Sequence, residues 1–238
     1  MYNQRHKRIK KILVGQSLVA VMIIAIATFL ISYAMGYRIN LKNYTIHKIG
    51  ILSLNFTDHP DGITIDGKEY KNGNNFYIGI SPGNYHVVAK KDDCYDWHSN
   101  RLIKSGLVNK QGKILFFEKD PETIQTFEQE IIDKLNLPNT SLINNDKYGL
   151  KHNSYEIWLG DNLVTRYSER ISGVRWFPGN NYISFQLSDQ IRVIDKYGFN
   201  DTLLVQLKNP STTKFDFKGN GRELYYRDGS NYQIAKIR

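Results

Sequence analysis

Between Asp92 and His98 the chain gathers three carboxylates, a thiol, an imidazole and two aromatic rings: Asp92-Asp93-Cys94-Tyr95-Asp96-Trp97-His98. Asp93, Cys94, Asp96 and His98 are of types that ligate zinc. An extended backbone, however, puts Cys94, Asp96 and His98 on one face and Asp93, Tyr95 and Trp97 on the other. Three mixed ligands along one strand do not converge into a tetrahedral set. The spacing therefore predicts a strand in which Tyr95 and Trp97 supply core or half-buried aromatic area, with no metal. If the Trp97 face is instead exposed, it is a platform on which a sugar ring would stack.

The other chemistry-bearing residues do not assemble a catalytic pattern. The six histidines, His6, His47, His59, His86, His98 and His152, are scattered along the chain. No Gly-x-Ser-x-Gly, His-Glu-x-x-His or phosphate-binding glycine loop occurs. Gly219-Asn220-Gly221 lacks the Lys-Ser/Thr and helix that a phosphate loop needs. Asp58-His59 beside Asp61 falls in a Pro-Asp-Gly turn, where such residues serve the backbone. Asp228-Gly229-Ser230 lacks the carboxylates of a calcium loop. The expectation is a protein that is not an enzyme and carries no cofactor.

The elements that must position these residues begin with an apolar run. Residues 12–36, ILVGQSLVAVMIIAIATFLISYAMG, contain no charge. Roughly 20 apolar residues cross a bilayer core as a helix, so this run predicts a transmembrane helix. Arg5, Lys7, Arg8, Lys10 and Lys11 precede it directly, which predicts a cytoplasmic N-terminus and an extracytoplasmic bulk. Ser32-Tyr33-Ala34 resembles a signal cleavage site, but the run exceeds a signal core of about 7–15 residues, which favours an uncleaved anchor. No second run of comparable length follows, so a single pass is expected, with membrane lipid as the first partner.

The net charge is +9, but it is uneven. Removing the five basic residues of the tail from 32 leaves 27 against 23 acidic. That small excess argues against nucleic acid as a partner. Cys94 is the only cysteine, so an intrachain disulfide is excluded.

After a polar stretch, GYRINLKNYTIHKIG, taken as a stalk or leading strand, short apolar runs alternate with turns. Ile51 to Phe56, Ile63-Thr64-Ile65, Phe76 to Ile80, Tyr85 to Lys90 and Gly112 to Glu118 each predict a strand. Asp66-Gly67 is a hairpin signal. Ser81-Pro82-Gly83-Asn84 fits a type II turn with glycine at its second central position. The order Pro60-Asp61-Gly62-Ile63-x-Ile65-Asp66-Gly67, then Ile80-x-Pro82-Gly83-x-Tyr85-x-Val87, then Tyr95-x-Trp97 resembles the PEGA domain family. It departs from the family at Asp61 and Cys94. The resemblance covers about a third of the chain. It implies a small β-sandwich over residues 48–119 on the outer side of a membrane, with an interaction or scaffolding role and no catalytic residues.

Asp120-Pro121-Glu122 reads as the start of a linker helix, with Asp120 as cap and Pro121 in the first turn. Ile124, Phe127, Ile131, Ile132 and Leu135 share a helical face. Leu137-Pro138-Asn139 would end it, and an Asn-rich linker would run to residue 153. From residue 154 the pattern is again β. VRWFPGNNYISFQLSDQIRVID, from Val174, aligns with FDFKGNGRELYYRDGSNYQIAKI, from Phe215, at an offset of ~41 residues, within the usual range of a β-propeller blade. With Trp176-Phe177-Pro178-Gly179, this stretch resembles WD-repeat or TolB-type blades. A closed propeller takes roughly four to eight blades, and only two to three fit here.

The expected architecture is thus mainly β: an N-terminal transmembrane helix, a PEGA-like sandwich, one linker helix and a partial propeller-like module. The expected function is a membrane-anchored, extracytoplasmic, non-enzymatic binding or scaffold protein of the cell envelope. Tyr95, Trp97, Trp176 and Tyr182 are the candidate contacts to an envelope glycan or envelope protein, because aromatic faces bind sugars and anchor interfaces. The alternative is a structural subunit whose incomplete propeller is completed by self-association, as a homo-oligomer, or by a partner's strands.

Overall fold

A computed structural model describes residues 2–40, 44–71, 73–136, 149–209 and 214–238, with side chains from Gly15 onward apart from Asn40. The side chains of Arg5, Lys7, Arg8, Lys10 and Lys11, and most of the expected Asn-rich linker, lie outside that description. The described chain is mainly β, with one long apolar helix and several small sheets, none closed into a barrel.

Helix α1 runs over Tyr2–Ala34. Its portion Gly15–Ala34 has a mean hydropathy of 2.3 and none of it is buried, so it is long and apolar enough to cross a membrane. A signal sequence near an N-terminus meets the same description. The helix ends on Gly36, whose φ of +88° only glycine adopts at little cost. The Met35 and Gly36 amides donate back to the Ile31 and Tyr33 carbonyls at 2.9 and 3.1 Å. The Arg38 guanidinium donates to the Tyr33 and Tyr37 carbonyls at 2.7 and 2.9 Å, placing a cation where the helix dipole is negative.

The chain divides into two compact units. The first gathers Met1–Leu54, Phe76–Tyr85 and Arg101–Gln111. Directly after α1, β1 (Tyr37–Asn40) and β2 (Thr45–Lys48) pair antiparallel, with Tyr37 opposite Lys48 and Ile39 opposite Ile46. The stretch expected to be a stalk or leading strand therefore contributes two paired strands. A three-stranded sheet follows, with β3 (Gly50–Phe56) between β6 (Asn75–Ile80) and β9 (Val108–Ile114). Leu52 and Leu54 of its central strand are fully buried.

The second unit gathers Asn55–Asn75, His86–Asn100 and Gly112–Arg238. One of its sheets runs in the order β5-β4-β7-β8, built from β4 (Gly62–Ile65), β5 (Lys68–Tyr70), β7 (Gly83–Lys90) and β8 (Trp97–Ile103), the last two continuing into the first unit. Asp66 and Gly67 join β4 to β5 with φ of +48° and +78°, the twist a two-residue hairpin needs. Gly83 opens β7 without the positive φ that the expected type II turn requires.

Three further sheets stack in series. The first is β11 (Leu150–His152), β12 (Glu156–Leu159) and β13 (Asn162–Arg166). The second is the meander β14 (Ile171–Trp176), β15 (Tyr182–Leu187), β16 (Gln190–Asp195) and β17 (Thr202–Gln206). The third is β18 (Phe215–Lys218), β19 (Glu223–Asp228), β20 (Asn231–Lys236) and, beyond β20, β10 (Thr123–Gln125). Leu150 and Ile157 pack on Val174, Ile183 and Phe185 of the middle sheet. The other face of that sheet, through Phe177, Tyr182, Ile191 and Val193, packs on Phe215, Phe217, Leu224 and Tyr226 of the third. Apolar neighbours on both faces explain why Tyr182 to Gln186 are buried without a break. Helix α2 (Gln129–Asn136) covers the far face of the third sheet with Ile131 and Leu135 against Tyr225.

The linker helix is shorter than the sequence suggests. Residues 123–125 are a strand, because the Glu122 carbonyl and Thr126 amide take up ladder bonds with the Lys236 amide and Tyr232 carbonyl, at 3.0 and 2.9 Å. The β-branched run Thr123, Ile124, Thr126 suits a pleated edge. The predicted helical stripe survives within α2, at buried Ile131 and Leu135 and half-buried Ile132, while Ile124 and Phe127 are 55% and 79% exposed.

Candidate functional site

The turn Trp176-Phe177-Pro178-Gly179-Asn180-Asn181-Tyr182 joins β14 to β15 and separates two clefts. Buried Phe177 fixes it from below. Its amide donates to the Tyr182 carbonyl at 2.9 Å, and its carbonyl accepts from the Asn180 amide at 3.0 Å. Its ring meets Phe217 with centroids 4.7 Å apart and Phe117 at 5.5 Å. Gly221, in the equivalent turn of the third sheet, presses on the same ring. A Cβ there would overlap Phe177, and the φ of +80° strains any other residue.

On one side of the turn lies a groove of about 390 Å³ lined by Leu159, Leu163, Trp176, Asn180, Lys196 and Tyr197, among others. Trp176 is half-buried and Tyr197 is exposed. The Lys196 ammonium sits 5.4 Å from the Tyr197 ring centroid and donates to the Asn181 side-chain carbonyl at 3.2 Å. The groove thus places two aromatic side chains beside the Asn162 and Asn180 amides.

On the other side is an open cleft of about 580 Å³. Its lining includes Lys113, Asn181, Tyr182, Asn220, Arg222 and Arg238, and no carboxylate. The Arg238 side chain is itself buried and ion-paired to Asp58 at 2.8 Å, with a further bond to the Asn220 carbonyl at 3.3 Å. Lys113 and Arg222 are exposed. The Tyr182 hydroxyl oxygen accepts from the Leu115 amide at 3.1 Å, and burial pushes its phenol above the ordinary range. Such a cleft attracts an anionic group, which guanidinium and ammonium donors would hydrogen-bond.

The Asp92–His98 stretch borders a third, smaller pocket of about 220 Å³ with His86, Asn200 and Asp201. The His86 and His98 rings stack with centroids 5.6 Å apart. Asn200 grips the His98 backbone from both sides, accepting from its amide at 2.7 Å and donating to its carbonyl at 3.0 Å. Both carboxylates here are engaged: Asp96 with Lys90 at 3.7 Å, and Asp201 with Arg192 and the Tyr167 hydroxyl, each at 2.8 Å. Cys94 is buried, which pushes its thiol pKa up, away from the thiolate a ligand or nucleophile needs. Among the described residues, no group of three or more His, Cys, Asp or Glu side chains is placed to hold a metal ion.

The four expected contact residues therefore part company. Trp176 lines the aromatic groove, Tyr182 forms the floor of the basic cleft, and half-buried Tyr95 lines the pocket beside His98. Trp97 is only 2% exposed and packs edge-on against Phe56 at 6.5 Å. It is a core residue, not a contact, because β8 turns Trp97, Ser99 and Ile103 inward and His98 outward. Tyr182 is likewise closed to stacking, since it is 3% exposed and its ring meets Phe117 and Phe177 at steep angles, 5.6 and 6.3 Å between centroids. Sequence reading missed Tyr197, an aromatic in the turn after β16. It also missed Lys113, Arg222 and Arg238, which come together from separate segments and leave no local pattern. No family model, curated protein or solved structure matches the chain.

Proposed function

We propose that this chain is a membrane-anchored, extracytoplasmic, non-enzymatic binding or scaffold protein of the cell envelope, and that its ligand is an envelope glycan bearing acidic groups. The observation that carries the reading is the pairing of clefts across the Trp176–Tyr182 turn: aromatic on one side, basic on the other. A sugar ring on Trp176 and Tyr197 with an acidic substituent near Lys113 and Arg222 uses both. The apolar helix with its basic leader supports anchoring with the N-terminus inside. The PEGA-like order of motifs supports an envelope location. The blade-like reading is supported by the ~41-residue repeat, since its matched positions fall on matching strands, β14 with β18, β15 with β19 and β16 with β20.

A second reading is a structural subunit completed by self-association. It is favoured by the stack, which among the described residues holds three sheets where a closed propeller takes roughly four to eight blades.

The test is co-sedimentation of the full chain in detergent with purified cell-envelope polymer. Saturable binding that weakens with salt, and about tenfold with Trp176→Ala as for an interface hot spot, is expected. Binding indifferent to Trp176→Ala, or none, would overturn the glycan reading. A concentration-dependent mass without polymer binding would favour self-association.

A further inference from the structure

The strand pair that follows α1 is turned inside out for a segment in water. Register places Tyr37, Ile39, Ile46 and Lys48 on one face and Arg38, Thr45 and His47 on the other. The polar face is the one engaged with protein: His47 shares a hydrogen bond with the Ser81 hydroxyl at 3.2 Å, and Arg38 folds over the Tyr33 ring, its guanidinium carbon 3.7 Å from the centroid. The apolar face is open. Ile39 is 53% exposed, Ile46 70% and neighbouring Tyr44 88%. Burying such side chains releases about 25 cal/mol per Å², so leaving them bare is unfavourable unless something covers them.

The position of the strand pair says what covers it. The charge-free run 12–36 is long enough as a helix to cross the roughly 30 Å of a bilayer core, and the tyrosines at its far end, Tyr33 and Tyr37, mark the hydrocarbon boundary there. No flexible tether follows. Gly36 closes the helix, and its carbonyl accepts from the Ile49 amide at 2.9 Å, which ties the foot of the strand pair to the helix end. A four-residue strand spans about 13 Å, so every apolar residue of β1 and β2 stays within reach of the headgroup layer. The composition is that of an interfacial segment: tyrosines, isoleucines, and a lysine whose ammonium lies 5.6 Å from the Tyr37 ring.

We infer that the paired strands β1 and β2 lie on the membrane surface with their Tyr37/Ile39/Ile46 face in the headgroup and upper acyl region, so that lipid is their partner beyond the span itself. This rests on α1 being a retained membrane span, and the experiment separates the two. The full chain carrying Cys94→Ala and Ile46→Cys is labelled with an environment-sensitive dye. It is reconstituted into phosphatidylcholine/phosphatidylglycerol vesicles containing lipids spin-labelled near the headgroup. Thr45→Cys, on the opposite face, is the control, and circular dichroism matching the unsubstituted chain certifies folding. The expected result is co-flotation with the vesicles, a blue shift and strong quenching by spin-labelled lipid at position 46, and exposure to aqueous iodide at position 45. Co-flotation with equal iodide exposure at both positions would overturn the inference and leave the anchor standing. A folded chain that does not float would overturn the anchor, and the inference with it.

Discussion

Two tryptophans show how far single residues can be read. Trp97 and Trp176 both sit in β-rich sequence beside a turn, and both were candidate contacts. Alternation tells which residues share a face of a strand, but not which face meets water. Trp176 ends β14 at the mouth of a groove, while Trp97 begins β8 with its ring against Phe56. Phe56 itself stacks on Phe116 at 5.8 Å, so the Trp97 cavity could not collapse without disturbing both rings. Trp97→Ala is accordingly expected to cost about 3–5 kcal/mol of stability, read as a lower denaturation midpoint with little change in slope. A Trp97→Ala chain as stable as the parent would mean the ring is not core. Any loss of binding in that variant therefore reports unfolding, whereas Trp176→Ala, at a half-buried ring packed on the edge of the Ile157 and Phe185 cluster, should cost less than Trp97→Ala, and its binding is read against its own denaturation midpoint.

At the scale of elements, much of the β pattern was legible. The strands at Ile51 to Phe56, Ile63 to Ile65 and Phe76 to Ile80, and the Asp66-Gly67 turn, all sit where alternation and turn chemistry put them. The matched residues of the two repeat copies fall on matching strands but in different clusters: Val174, Ile183 and Phe185 pack with Leu150 and Ile157, whereas Phe215, Leu224 and Tyr226 pack with Phe177. The linker helix was misjudged for a tertiary reason. The stripe from Ile124 to Leu135 fits a helix locally, yet the free edge of β20, over a hundred residues later, offers ladder bonds that local pattern cannot reveal. Thr126 is the hinge of that outcome. Its amide bonds the Tyr232 carbonyl and its hydroxyl accepts from the Glu128 amide at 3.2 Å, just before α2. Thr126→Pro should cost about 1–3 kcal/mol, the range for an orphaned acceptor. Amide exchange should quicken in β20 and α2 while β15 stays protected. Unchanged exchange in β20 would show that β10 does not hold that edge.

For the molecule as a whole, buried phenols set an alkaline limit. Burial raises the pKa of Tyr167, Tyr182 and Tyr226, and for Tyr167 the adjacent Asp201 carboxylate adds to it. Their folded values lie above the unfolded ones, so the stability they contribute is complete below the ordinary phenol pKa of about 10 and is lost as pH rises through it. Buried Cys94 acts in the same direction from its ordinary value of 9.0. An ultraviolet titration should show some of the 16 tyrosines ionising freely and the rest only together with loss of near-ultraviolet circular dichroism. Ionisation of all of them in a chain that stays folded would contradict the burial. The pairing of β10 with β20 also sets a schedule. On the ribosome β10 is made before its partner β20, so the third sheet closes only after Asn231–Lys236, more than a hundred residues further on, have emerged. A messenger truncated even slightly upstream would yield a protein with β19 bare and β10 loose, an adhesive product that quality-control proteases would meet before any ligand did.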